Sequence, residues 1–290
     1  FRPRGDLTID GLYVTGEDEL GGLTTRIFRV SESDVTIRIN NSHLDKDGQT
    51  AFRIEGTGVS VFLTNSIISN IGTTSSADNG RGLDDRGNQI DTLWFENNTF
   101  YNLTAQVIRD AGGLINYAHF NQNTVYNTGK GTTVEFGPVV EGVMRDNILI
   151  NTSFYGYVGD EVEYIVDVDS LTQTETDSLG AQSFVASNNN VYQSSEISDA
   201  YPDSVSASVM FNAAAQAFID AAGTGSTFIN EDVSFTDAPG TPTTIMTEFY
   251  SGAAGTTEFD VVNEPFDFAY AATFDSYTAG SNGQQLGALS

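Results

Sequence analysis

Along the first two thirds of the chain, apolar residues come in runs of two or three, each fenced by Asn, Gly, Thr or Asp. Runs this short, rich in Val, Ile, Phe and Tyr, suit strands and cannot make helices of useful length. The runs also repeat. LWFENNTFYNLT from Leu93, AHFNQNTVYNTG from Ala118 and GVMRDNILINTS from Gly142 share one plan: an apolar approach, an Asn, two or three apolar or β-branched residues, then Asn and a turn. Weaker copies start at Leu7, Ile37, Val61 and Val185.

Aligned on their first polar residue, the copies give a column of Asn41, Asn65, Asn98, Asn123, Asn147 and Asn189, preceded by Asp10. Intervals of 24 or 25 residues recur among longer ones, as a three-sided solenoid with loop insertions would give. The pattern therefore predicts an all-β fold, a right-handed parallel β-helix. Equivalent side chains would lie one strand spacing apart, about 4.8 Å. Asn at a tight turn tolerates left-handed backbone, and its amide can bond the amide one coil away. The six asparagines are thus expected to form a structural ladder. The sequons at Asn40, Asn97, Asn102 and Asn151 are explained by the same repeat.

A second column falls in the motifs FRV, FRI, LDD, IRD and VEF, which align Arg29, Arg53, Asp84, Arg109 and Glu135. From Arg53 onward the signs alternate, so neighbouring coils would set opposite charges side by side. Each such exposed pair is worth about 0–1 kcal/mol. Past Ser195 the pattern weakens. Val209 to Ala222 is Ala-rich with helical spacing and predicts a short helix, Gly223 to Thr257 reads as long loops, and the stretch from Phe266 reads as a last strand-turn-strand coil. The organisation expected is one domain over 1–290: regular coils over 1–195, a helix and loop insertion over 196–260, and a closing coil over 261–290.

Charge narrows the partners. With 39 acidic and 12 basic residues the net charge is −27, and Lys46 and Lys130 are the only lysines. Counterion release from a nucleic acid needs clustered Lys and Arg, so the composition argues against nucleic-acid binding and against docking on an anionic membrane. No apolar run approaches the ~18 residues that span a bilayer. Cysteine is absent, so there are no disulfides to protect; a secreted or cell-surface setting is expected. An acidic surface stays soluble in strong salt, though acidity is also common among exported proteins. A chain opening at Phe1 is read as processed or trimmed.

The repeat, together with GRGLDDRGNQIDTLWFENNTFYNLTAQVIRDAGG from Gly80, resembles the pectate-lyase-like right-handed parallel β-helix superfamily. Within it the chain looks most like uncharacterised secreted bacterial β-helix domains found beside polysaccharide-degrading machinery. The resemblance covers about residues 7 to 195, plus the terminal FDF…GQQLGAL. In lyases of this superfamily an Arg or Lys removes a proton beside a uronate carboxylate, often with calcium on acidic side chains. The Lys-then-Arg pair of the alginate and chondroitin branch has no counterpart, since neither Lys46 nor Lys130 sits in the columns with a matching Arg.

The densest charged cluster is Arg81, Asp84, Asp85, Arg86, Arg109 and Asp110. As a catalytic site, Arg86 or Arg109 would be a base of lowered pKa, and Asp84, Asp85 and Asp110 would hold Ca2+. As a structural device, the same residues are an ion-pair ladder that fixes coil register. No other cofactor is implied: His43 and His119 lie in different columns, and Asp45-Lys46-Asp47-Gly48 reads as a solvated turn. With a coil starting by residue 7 and another ending the sequence, both ends are expected to template a further copy. Head-to-tail contact of that kind builds filaments. The functional expectation is a self-associating extracellular structural solenoid, a homo-polymer by end-to-end stacking. The alternative is a polysaccharide lyase or a non-catalytic carbohydrate-binding β-helix acting on acidic glycans.

Overall fold

The structure, a computed structural model, describes residues 1–72, 79–154, 164–201, 209–223, 228–243 and 265–289. Its short strands are stacked in parallel on three faces. The first face takes Leu7–Asp10, Thr36–Asn40, Val59–Thr64, Ile90–Glu96, Ile115–Asn121, the second half of Val134–Arg145, and Ser183–Ser187. The second takes Tyr13–Thr15, His43–Asp47, Ile67–Ile71, Thr99–Leu103, Thr124–Thr128, Ile148–Ile150, Asn189–Tyr192 and Phe228–Ile229. The third takes Arg26–Val30, Thr50–Ile54, Arg81–Asp84, Ile108–Arg109, the first half of Val134–Arg145, and Val166–Asp169. Each strand pairs with its equivalents one coil before and one coil after. The chain is a parallel β-solenoid.

Alternation along each strand sends one set of side chains into the lumen. Val59, Val61 and Leu63 are fully buried, with Ser60, Phe62 and Thr64 between them pointing outward. Rings stack from coil to coil inside, Phe28 on Phe52 at 5.1 Å and Phe100 on Phe120 at 6.2 Å, and within one coil Phe95 packs on Phe100 at 5.8 Å. One continuous apolar core runs the length of the stack.

The corner between the first and second faces sets the register. Its first residue is left-handed in every coil from Asn41 and Asn65 through Asn97, Gln122, Asp146 and Asn188, with φ between 47° and 58°. Asn and Asp take that conformation more readily than other side-chain-bearing residues, which explains most of the column. The next residue turns inward. There the Oδ1 of Asn123 accepts from the backbone N–H and Nδ2 of Asn98, Asn147 does the same for Asn123, and Asn189 for Asn147. Each Nδ2 of Asn98, Asn123, Asn147 and Asn189 also donates to a carbonyl at the end of a first-face strand.

This corrects the expected ladder by one residue in the early coils. Asn41 and Asn65 belong to the outer left-handed column. The inward positions beside them are Ser42 and Ser66: Ser66 Oγ accepts from Ser42 N–H, and Asn98 Oδ1 from Ser66 N–H. A further amide column, unanticipated, runs down the second face. Asn70, Asn102, Asn127 and Asn151 are all left-handed and nearly fully buried, with Asn102 bonded to Asn70 and Asn127 to Asn102.

The C-terminal third departs further from expectation. The helix Ala213–Ala222 is capped by Asn212 and by left-handed Gly223; it buries Ala215 and Ile219 against the end of the core. Two short helices, Gln173–Leu179 and Ser195–Ala200, were not anticipated. The first starts in a Thr172/Glu175 capping box, visible as T-x-x-E. Much of the loop expected over 223–257 falls outside the described residues. Of the closing coil expected over 261–290, the described residues 265–289 form no coil. Asp267–Tyr270 pairs antiparallel with Phe235–Asp237 over the second face, and their rings meet Tyr101 and Tyr126. The segment 281–289 then runs back along the corner as a strap, bonding Asn188, Asp146, Gln122, Thr124 and Asn97 in turn. A coil would need a partner strand on the last layer, and these residues lie instead on the outside of earlier ones.

The two amide columns make a sharp contrast. Asn123→Ala strands buried donors and acceptors on both sides and is expected to lower unfolding free energy by about 2–4 kcal/mol. Asn65→Gly keeps the left-handed corner and is expected to change it by less than about 1 kcal/mol. Denaturant titration of the two variants checks both values.

Candidate functional site

Each face offers its outward side chains to something, and the three differ. On the third face, Arg29, Arg53, Asp84, Arg109 and Glu135 stand in register, and Asp167 extends the column. The alternation of sign holds only in the middle. Asp84, almost wholly buried, receives Arg109 at 3.0 Å, Arg81 at 3.3 Å and Arg86 at 3.7 Å. Arg29 and Arg53 share Glu55 at 2.7 and 2.8 Å. Beyond Arg109 the column is purely acidic.

Asp85 and Asp110 turn toward the corner that follows. Asp85 accepts from the backbone N–H groups of Gly87 and Ala111, and Asp110 from those of Gly112 and Gly113. Burial, and then the neighbouring Asp110, holds the Asp85 carboxyl well above the usual carboxylate range. Burial also lifts Glu135 to about 7, opposed by its bond from Gln106 and reinforced by Asp110 and Asp167. Asp167 is lifted to about 6 by burial and then by Asp169 and Asp110.

These contacts correct the catalytic expectation. Arg109 is not a base of lowered pKa: the charge of Asp84 and the bond to it outweigh burial and hold the guanidinium above its ordinary value. Arg86 reaches the same carboxylate. Asp84 is engaged by three guanidiniums, while Asp85 and Asp110 face each other and are held by turn amides, so the three carboxylates do not share one point. Among the described residues no group of three His, Asp or Glu side chains is placed to hold a metal ion. The cluster is a set of ion pairs and turn caps that locks adjacent coils.

The second face is occupied by the chain itself. Val233, Phe235, Tyr270, Phe274 and Leu286 cover Tyr126, Ile148, Ile150 and Tyr192 in a separate small core. Between this cover and the face lies a polar cleft of 490 Å³.

Among the described residues nothing is laid over the first face. Its central outward row reads Arg38, Phe62, Trp94, His119, Val143 and Val185, all in register. The planar groups stack: the Arg38 guanidinium lies 4.7 Å from the Phe62 ring centre, Phe62 is 6.5 Å from Trp94, and Trp94 is 3.8 Å from His119. Tyr117 joins at 6.1 Å from Trp94. The Trp94 indole N–H donates to Glu96 at 2.8 Å. Burial pulls His119 below its ordinary value, against the opposing effect of Glu96, 3.9 Å away. Rows made mostly of hydroxyl and amide groups flank the stack, with Thr36, Ser60, Thr92 and Tyr117 on one side and Asn40, Thr64, Glu96 and Asn121 on the other. The alternating strands of this face were legible in sequence, but alignment on the Asn column gave no reason to single out its aromatic positions.

Comparison with protein-family models, curated proteins and solved structures finds no match to this chain.

Acids with raised values bind protons in the fold that they lose in the unfolded chain. Their stabilisation is therefore full at low pH and is lost as pH rises through the folded-state values. For Glu135 and Asp167 that window runs from the ordinary carboxylate range up through about 6 and 7. Unfolding free energy is expected to fall across this window, and Glu135→Gln to flatten the fall. Denaturant midpoints measured from mildly acidic to mildly alkaline buffer check it.

Proposed function

We propose that this protein is a non-catalytic, glycan-binding β-solenoid, with its open first face as the binding surface. The observation that carries this reading is the stacked row Arg38, Phe62, Trp94 and His119 between two rows made mostly of hydroxyl and amide groups, with Glu96 among them. A surface that offers similar groups once per coil suits a ligand that also repeats along its length. A linear polysaccharide does so, pressing C–H edges against rings and hydroxyls against Thr, Ser and Asn. The other two faces favour this choice, one being closed by ion pairs and the other covered by C-terminal residues.

The ligand in this reading is an uncharged glycan, not the acidic one first expected. Asp91, Glu96 and Glu141 border the row, and a net charge of −27 repels a polyanion. Uronate elimination is disfavoured because Arg109 stays paired with Asp84. End-to-end polymerisation is disfavoured because the helix Ala213–Ala222 covers the core at its C-terminal end. The coil is taken as right-handed, the hand that parallel crossovers nearly always adopt, as in the pectate-lyase-like superfamily. A glycan ligand places the protein outside the cell.

Trp94 is the only tryptophan, so its emission reports on the first face directly. Neutral β-linked polysaccharides are expected to shift that emission and to retard the protein in affinity electrophoresis. Phe62→Ala is expected to weaken the retardation by about tenfold, near the 1–1.5 kcal/mol of one ring contact. Unchanged emission and mobility across neutral and acidic glycans would refute the reading.

A further inference from the structure

The cleft between the second face and residues 232–241 has the makings of a second site. Its wall on the solenoid side is Tyr126, Ile150, Asn151 and Tyr192, and its opposite wall runs through Asp232, Phe235 and Asp237, with Glu196 at the start of the helix Ser195–Ala200. A volume of 490 Å³ lies in the range of small-molecule sites and is far larger than a single ion needs.

The lining is strongly one-signed. Glu196, Asp232 and Asp237 contribute carboxylates, and among the described residues no Lys, Arg or His lines the cleft. Asp232 and Glu196 lie close enough to Tyr126 to help burial push its hydroxyl up to about 12. The hydroxyls of Tyr126 and Tyr192 have no hydrogen-bond partner among the described residues. Asn151 gives an independent sign. It is 2 % exposed, its Oδ1 accepts from Ser194 N–H, and its Nδ2 is unpartnered among the described residues. The amide column that joins Asn70, Asn102 and Asn127 stops short of it, with Asn127 Oδ1 also left without a partner. Asn151 lines the cleft, and its spare amide donor is open to a ligand oxygen.

We infer that this cleft binds a small organic cation that also carries oxygen acceptors: a protonated amine on a body the size of one sugar ring. The amine meets Glu196 and Asp232, a ring oxygen or hydroxyl accepts from Asn151, and the apolar side of the ring rests on the tyrosines. Phosphates and uronates are turned away by the same carboxylates.

Calorimetric titration of the whole protein with glucosamine, glucose and glucuronate tests this, in mildly acidic buffer where the amine is protonated. Glucosamine is expected to bind and the other two not. The double variant Glu196→Gln, Asp232→Asn, both on the rim, is expected to weaken glucosamine binding by about tenfold or more. Trp94→Ala is expected to leave it unchanged, which separates this site from the first-face glycan surface. No glucosamine binding, equal binding of glucose, or affinity indifferent to the double variant would overturn the proposal.

Discussion

Coil-to-coil register is the constraint on which this molecule depends. A parallel stack has no hairpins to set which residue lies beneath which, because consecutive strands belong to different faces. A slip by one residue would turn every lumen side chain outward. The corner between the first and second faces removes that freedom. There a left-handed residue fixes the bend, and an inward amide bonds both its counterpart in the next coil and a strand-end carbonyl of the coil before. Buried donors and acceptors tolerate no alternative partner without loss. A corner residue is therefore also a register mark.

With register fixed, the faces can specialise. The lumen needs only apolar residues of suitable size, so Phe, Ile, Leu and Val replace one another from coil to coil. Outside, stacking multiplies whatever a column contains. On the third face it brings arginines onto Asp84 and Glu55 at one end and crowds carboxylates at the other. On the first face it lines up planar groups into a row. The same geometry thus yields adhesion between coils in one place and an exposed repeating surface in another.

How far these features could be read from sequence depends on whether they repeat. The strands, the stacking and the alignment of Arg29, Arg53, Asp84, Arg109 and Glu135 all follow from the period. The inner amide column was misread at Asn41 and Asn65 because two neighbouring columns both favour Asn. One needs a left-handed backbone and the other a bifunctional amide, and where Ser42 and Ser66 replace the amide only the outer Asn remains visible. The doublets Asn97-Asn98 and Asn188-Asn189 hold both roles side by side and were the available clue. Charge proximity was legible, but engagement was not: nothing in the string LDDR says that Asp84 serves three guanidiniums and Asp85 two backbone amides. The folding-back of the C-terminal residues was invisible for a different reason. Its bonds, most of them between a single side chain and backbone, span 93 to 192 residues, and they follow no period.

That returning strap gives the solenoid a measured length. A plain stack of coils can gain or lose a layer at small cost, since each layer touches only its neighbours. Here Ser281 is tied to Asp146, and Leu289 to Asn97. Inserting or deleting one coil between those anchors would displace one from the other by a strand spacing, about 4.8 Å, and break the chain of bonds. An otherwise open-ended architecture is thereby made to count its own turns.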